Sequence, residues 1–167
     1  SKQIDDSKKL TPAKRDKLYE QIIQSNAIYG IGLASSAEID ELNILQATFL
    51  AMKRALEQVV ANQHLKPAYA LIDGNRLPKD WTIPSQAVIH GDHLSLSIAA
   101  ASILAKVTRD RLMEEMAHLY PQYGWAKNAG YGTKEHIEAI QKYGITPFHR
   151  RSYAPIKKYL DEHPAVM

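Results

Sequence analysis

The sequence contains no cysteine among its 167 residues. That excludes a disulfide framework, a thiolate metal site and a cysteine nucleophile, fits a reducing compartment, and leads to the expectation of a cytoplasmic protein. Long apolar runs are also missing. Nothing approaches the roughly twenty residues that cross a bilayer, and the opening Ser1-Lys2-Gln3 is polar, so neither a membrane span nor a signal segment is expected. There is no Walker loop, no G-x-G-x-x-G and no G-x-S-x-G, which argues against a nucleotide phosphate cradle and against serine hydrolysis. His90, His93, His136 and His149 do not fall at metal-ligand spacing such as H-x-x-x-H, so zinc is not expected. Internal repeats, low-complexity runs and linkers are lacking too.

Hydrophobic residues make up 45% of the chain, enough for a folded core of single-domain size. The net charge of +3 does not by itself indicate nucleic acid, but it is unevenly placed: residues 121–167 hold seven Lys and Arg against four Asp and Glu. A solvated basic face explains that excess as simply as a phosphate-binding surface does.

The chemistry concentrates between Ala68 and Asp92. Two short apolar runs, Ala70-Leu71-Ile72 and Ala87-Val88-Ile89, end in Asp73-Gly74-Asn75 and His90-Gly91-Asp92, so each reads as a buried strand with an acid at its end. The connection of about a dozen residues is near the minimum for a parallel crossover, which would bring both carboxylates to one edge of the sheet. Paired carboxylates there suit a hard divalent cation with oxygen ligands. Ordinary turn chemistry accounts for either aspartate taken alone.

Thr11 and Pro12 mark a helix start, with the helix running to about Gln24. Alternating apolar residues over Ala27 to Ala34 predict a strand. Leu42, Leu45, Phe49, Met52, Leu56 and Val59 predict one long amphipathic helix from Asp40 to about Asn62, with Asn43 as a surface amide. A second long helix, Leu96 to about Leu119, carries an Ala-Ala-Ala-Ser run suited to close approach, and then Lys106, Arg109 and Asp110. An i, i+4 ion pair between Lys106 and Asp110 competes with a catalytic role for Asp110. The loop Pro121 to Gly132 interleaves Tyr123, Trp125 and Tyr131 with Lys127 and Asn128. Such rings can stack on sugars or bases, or can form a satellite hydrophobic cluster. Thr133 opens a third helix that ends at Gly144, and a last helix runs from Pro155 to about Glu162.

Seven blocks, in order, carry a resemblance: Asp6-Ser7-Lys8-Lys9-Leu10, Ile39 to Leu45, Leu71 to Asn75, Gly91-Asp92, Ser97 to Asp110, Gly130-Tyr131-Gly132-Thr133 and His149-Arg150-Arg151-Ser152. Together the chain resembles bacterial type II ribonuclease H along essentially its whole length. The resemblance implies an α/β, RNase H-like fold: a mixed sheet flanked by helices plus a C-terminal helical region, with 1–120 as sheet and core helices and 121–167 as the substrate-contacting part of a single domain. It implies cleavage of the RNA strand of RNA/DNA hybrids and at single ribonucleotides in duplex DNA. The metal would be Mg2+ or Mn2+ held by four carboxylates, of which Asp73 and Asp92 match two. Asp110 matches a nearby auxiliary acid, Tyr131 the ring that stacks on the sugar at the RNA-to-DNA junction, and Ser7 with Lys8 a phosphate-contacting loop. The complete protein is expected to be a monomer. The family's Asp-Glu-x-Gly-Arg-Gly segment does not occur in this sequence. The expectation is therefore an N-terminally incomplete chain without the first two central strands, and the competing function is a non-catalytic hybrid-binding fragment. A recombinase-type nuclease of the same fold would also use acids at strand ends.

Overall fold

The computed structural model describes residues 10–63 and 67–164, so the expected phosphate contacts of Ser7 and Lys8 lie outside the described residues. The chain forms two compact units: Ser1–Leu33 with Thr48–Thr108, and Ala34–Ala47 with Arg109–Met167.

In the first unit, α1 (Pro12–Ile23) starts as its sequence predicts. Thr11 is the N-cap, its hydroxyl accepting the Lys14 N–H, and Pro12 opens the helix, where a missing N–H has no cost. The helix buries Leu18 in a cluster with Leu10, Ile103 and Val107. The sheet has two strands, β1 (Ala70–Asp73) and β2 (Ser85–Val88), paired in parallel with Ala70 opposite Ser85 and Asp73 opposite Val88. Two strands alone are marginal in water. The first unit accordingly leaves apolar side chains open beside them, Leu71, Ile89 and Leu94 among them.

Residues 27–34 are not the strand that their alternation predicts. A strand needs a ladder partner, and among the described residues the sheet holds β1 and β2. The extended segment instead lies on the helix α3 (Ile44–Gln63): a Cβ built on Gly30 would clash with the Ala55 carbonyl oxygen, and one on Gly32 with the Ala51 carbonyl oxygen. The Ile31 N–H is satisfied by Gln58 Oε1 at 2.6 Å. The glycines mark the face where the two backbones touch, whereas Tyr29 and Leu33, at the alternate positions, are exposed.

The long helix expected from Asp40 is also two. α2 (Ser36–Leu42) is set by a capping box in which the Ser35 hydroxyl accepts the Glu38 N–H and the Glu38 carboxylate accepts the Ser35 N–H. Asn43, at φ 70°, then breaks the helix. Its Oδ1 accepts the N–H groups of Leu45 and Gln46 at 3.1 and 3.2 Å, so it caps α3 rather than standing on a helix surface. The apolar periodicity runs through the break, and only an Asx residue able to take positive φ betrays it.

The helix α5 (Leu96–Leu119) has the predicted bounds and buries Ile98, Ala99, Ile103, Leu104 and Val107. The second unit contains α6 (Trp125–Asn128), α7 (Lys134–Tyr143) and α8 (Ala154–Glu162), preceded by a 3-10 turn at Pro121–Tyr123. Tyr123 and Trp125 stack at 5.1 Å inside a core with Ile140, Ile156 and Leu160, which settles two of the loop's three rings as packing. Asp40 ties α2 to this unit by accepting the N–H groups of Arg151 and Ser152 at 2.7 and 2.8 Å. Burial works to raise its carboxyl, but the Ser152 and Arg151 hydrogen bonds and the Arg150 charge outweigh it and hold the group below its ordinary value.

Candidate functional site

The parallel pairing puts the C-terminal ends of β1 and β2 at one edge, and the Gly74 N–H carries the ladder one step further to the Val88 carbonyl at 3.0 Å. His90 then takes a left-handed conformation, φ 55° and ψ 40°, and turns the chain into the one-turn helix α4 (Gly91–Leu94). Asp92 therefore sits within that first turn rather than at the strand end itself, and only 4% of it is exposed. Asp73 closes β1, and its Oδ1 accepts the Gly91 N–H at 2.8 Å, one residue before Asp92. The structure thus brings the surroundings of the two acids together. The Asp92 Oδ1 also has His93 Nε2 at 3.8 Å.

Gly91 is what permits this approach. A Cβ there would lie 2.5 Å from Ile98 Cδ1 and 3.3 Å from both Asp73 Oδ1 and Val88 Cβ. Gly91→Ala should therefore push Asp73 off the Gly91 amide and lower stability by about 1–3 kcal/mol, the usual range for overpacking. Urea melts check the stability; a variant as stable as the parent would show that the turn yields without strain.

Two carboxylates are hard oxygen donors of the type Mg2+ and Mn2+ take, and Mg2+ is commonly held by one or two carboxylates together with water and substrate phosphate oxygens. In donor chemistry Asp73 and Asp92 fit such an ion. Among the described residues no group of three or more His, Cys, Asp or Glu side chains could hold a metal. Asp110 lies half-buried on α5 within the second unit.

Tyr131 is 69% exposed, while the backbone around it is pinned residue by residue. Asn128 donates from Nδ2 to the Tyr123 carbonyl and accepts the Gly130 N–H on Oδ1. Arg109 donates to the Ala129 carbonyl at 2.8 Å and its guanidinium lies 6.0 Å from the Tyr131 ring centre. The Tyr131 N–H reaches the Asn128 carbonyl, the Tyr131 carbonyl lies 2.9 Å from His136 Nδ1, and the Gly132 N–H reaches the Tyr153 hydroxyl. A Cβ on Gly132 would lie 2.8 Å from that hydroxyl. An exposed ring on so fixed a backbone is preorganised to stack on a planar or sugar face.

Asp40, which clamps the 150–152 loop, and the buried His149 fell within blocks of the resemblance but were given no role there, and the buried His136 lay outside those blocks. For His136 the spacing argument against a metal was the only signal, although it stands three residues after the Thr133 cap, where its own N–H is fixed by the Thr133 hydroxyl.

A short parallel sheet with Asp73 closing one strand and Asp92 in the turn after the other, in a mostly helical chain, is an α/β arrangement of the ribonuclease H-like class. The crystal structure of the ribonuclease H2 from Pyrococcus horikoshii OT3 superposes with a TM-score of 0.74 at 27% identity, over 95% of this chain and 81% of that one. A family model described as Ribonuclease HII matches residues 2–156, and the chain belongs to the ribonuclease HII family. It is 55% identical over 158 residues to the Ribonuclease HII of Desulfitobacterium hafniense (strain DSM 10664 / DCB-2), covering 95% of this chain and 59% of that protein. It is 58% identical over 155 residues to that of Wolbachia pipientis subsp. Culex pipiens (strain wPip), covering 92% and 75%. The chain thus spans about three fifths of the length of the first of these relatives. No helix among the described residues is long and apolar enough to cross a membrane.

Proposed function

We propose that this chain carries the cation-binding and substrate-contacting elements of an endoribonuclease that cuts the RNA strand of RNA/DNA hybrids and at single ribonucleotides in duplex DNA. The observation that supports this most is the Asp73 carboxylate held on the Gly91 amide beside the buried Asp92. Asp73 and Asp92 would hold Mg2+ or Mn2+. When bound, such an ion lowers the pKa of a coordinated water and stabilises charge on the departing phosphate oxygen. Asp110 serves as the auxiliary acid, and Tyr131 stacks on the sugar, where a 2′-hydroxyl distinguishes RNA from DNA. Ser7 and Lys8 meet phosphate. The working protein is a cytoplasmic monomer.

The test is incubation with Mg2+ and duplex DNA bearing one ribonucleotide. Slow cleavage that leaves a 3′-hydroxyl is expected, with Asp73→Asn and Asp92→Asn each lowering the rate by about 100-fold, the scale of losing one preorganised electrostatic contact. Cutting of an all-DNA duplex, or a rate indifferent to both substitutions, refutes the reading. With no three-ligand cluster among the described residues, a binding-only role is the second reading. Hybrid binding that weakens steeply with salt, without metal-dependent cleavage, selects it.

A further inference from the structure

Beneath Tyr131 lies a pair of buried imidazoles whose hydrogen bonds run in one direction. Trp125 Nε1–H can only donate, and it points at His136 Nε2 at 3.1 Å, so that nitrogen is the bare acceptor of a neutral ring. The ring proton is therefore on Nδ1, which donates to the Tyr131 carbonyl at 2.9 Å. At His149 the Thr146 N–H donates to Nδ1 at 3.0 Å, which places that ring's proton on Nε2, 3.3 Å from His136 Nε2. Every link agrees with the next only if both rings are neutral and carry opposite tautomers. Tyr123 and Trp125 face the pair from the 3-10 turn and α6, with ring centres 4.8 and 5.1 Å from that of His149, and neither is charged at neutral pH.

We propose that His136 and His149 are positioning residues for Tyr131. The chain of bonds from Thr146 through His149 and His136 to the Tyr131 carbonyl sets where the exposed ring stands, and so sets the preference for a ribonucleotide-bearing duplex. This rests on the assignment of Tyr131 to the sugar. The ring needs such an anchor because it is itself open to solvent, and its placement comes from backbone held underneath. The pair touches that backbone directly through one carbonyl, whereas the neighbouring Gly132 is held separately by Tyr153. Burial, and after it the nearby His136, hold His149 down to about 4, so that ring is neutral at physiological pH.

Two measurements test this. In the unsubstituted chain at pH 7, long-range nitrogen–proton correlation spectra should show His136 protonated on Nδ1 and His149 on Nε2; either opposite tautomer overturns the proposal without reference to substrate. Binding is then compared, in EDTA, for a duplex with one ribonucleotide and the same duplex in DNA. Tyr131→Ala should lower that preference roughly tenfold, the scale of one lost stacking contact. His136→Leu should do the same and add nothing on top of Tyr131→Ala, while His136→Asn, whose amide can replace Nδ1–H at the carbonyl, restores most of it. A preference unchanged by His136→Leu, or losses that multiply in the double variant, overturns the proposal while leaving the Tyr131 assignment standing. A preference unchanged by Tyr131→Ala itself overturns both. Should His136→Leu fail to fold, His149→Leu, which removes the Nε2–H 3.3 Å from His136 Nε2, is read by the same cycle.

Discussion

Gly32→Ala is expected to destabilise the chain by about 3 kcal/mol or more, at or above the top of the usual overpacking range. Most such substitutions press a methyl group against side chains that can change rotamer. Here the methyl would meet the Ala51 carbonyl oxygen and, at 2.6 Å, the Ala55 nitrogen, both backbone atoms inside α3. A helix backbone yields only by lengthening its own hydrogen bonds, so the extended segment would have to lift away. Lifting it strains the Ile31 N–H bond to Gln58 and the Arg54 bond to the Leu33 carbonyl, the polar contacts that hold it down. Gly30→Ala should act in the same direction through the Ala55 carbonyl. Neither glycine has positive φ, so the effect is one of space rather than backbone preference. Urea midpoints of the two variants measure it. A shift within about 0.5 kcal/mol for Gly32→Ala, the level of an ordinary surface change, would mean that residues 27–34 do not lie on α3.

The same segment shows what could be read from residue order. Alternation along residues 27–34 separates two faces, but the covered one carries Gly30 and Gly32 while Tyr29 and Leu33 stay exposed. It cannot report what covers that face, because a ladder and a helix surface impose the same period. Elements bounded by local chemistry were legible: Thr11-Pro12, Thr133 and Gly144 fix helix ends through contacts a few residues long. Asn43 fails for the converse reason, since its capping role depends on a positive φ that the apolar stripe through it conceals. The parallel pairing of β1 and β2 was legible because two short apolar runs joined by a crossover of minimal length leave few arrangements. What supports Tyr131 was not, because His136 and His149 make sense only once α7 and the loop before α8 meet around Trp125, a contact that no spacing rule encodes.

That meeting point also sets how the fold should respond to acid. His149 titrates at about 4 in the folded chain against an ordinary 6.5, pushed down first by burial and then by His136. The unfolded chain therefore takes up a proton at a pH where the folded chain refuses it. The stabilisation from keeping the ring neutral is complete above about pH 6.5 and is lost as pH falls from there to about 4, with stability rising with pH across the window. Integrated over the shift, the loss is on the order of 3 kcal/mol, which for a chain of this size is roughly 6–12 °C in Tm. The Asp40 carboxyl, held below its ordinary value, adds a further loss only at lower pH, as it too takes up a proton. Melting curves between pH 7 and pH 4 should thus show a decline that is largely removed in His149→Gln, whose amide has nothing to titrate. A parallel NMR titration should find the His149 ring unprotonated down to about pH 5. If the ring titrates near 6.5, or if the His149→Gln variant keeps the full acid slope, then the imidazole pair is not the buried, one-way link between Thr146 and Tyr131 that the geometry describes.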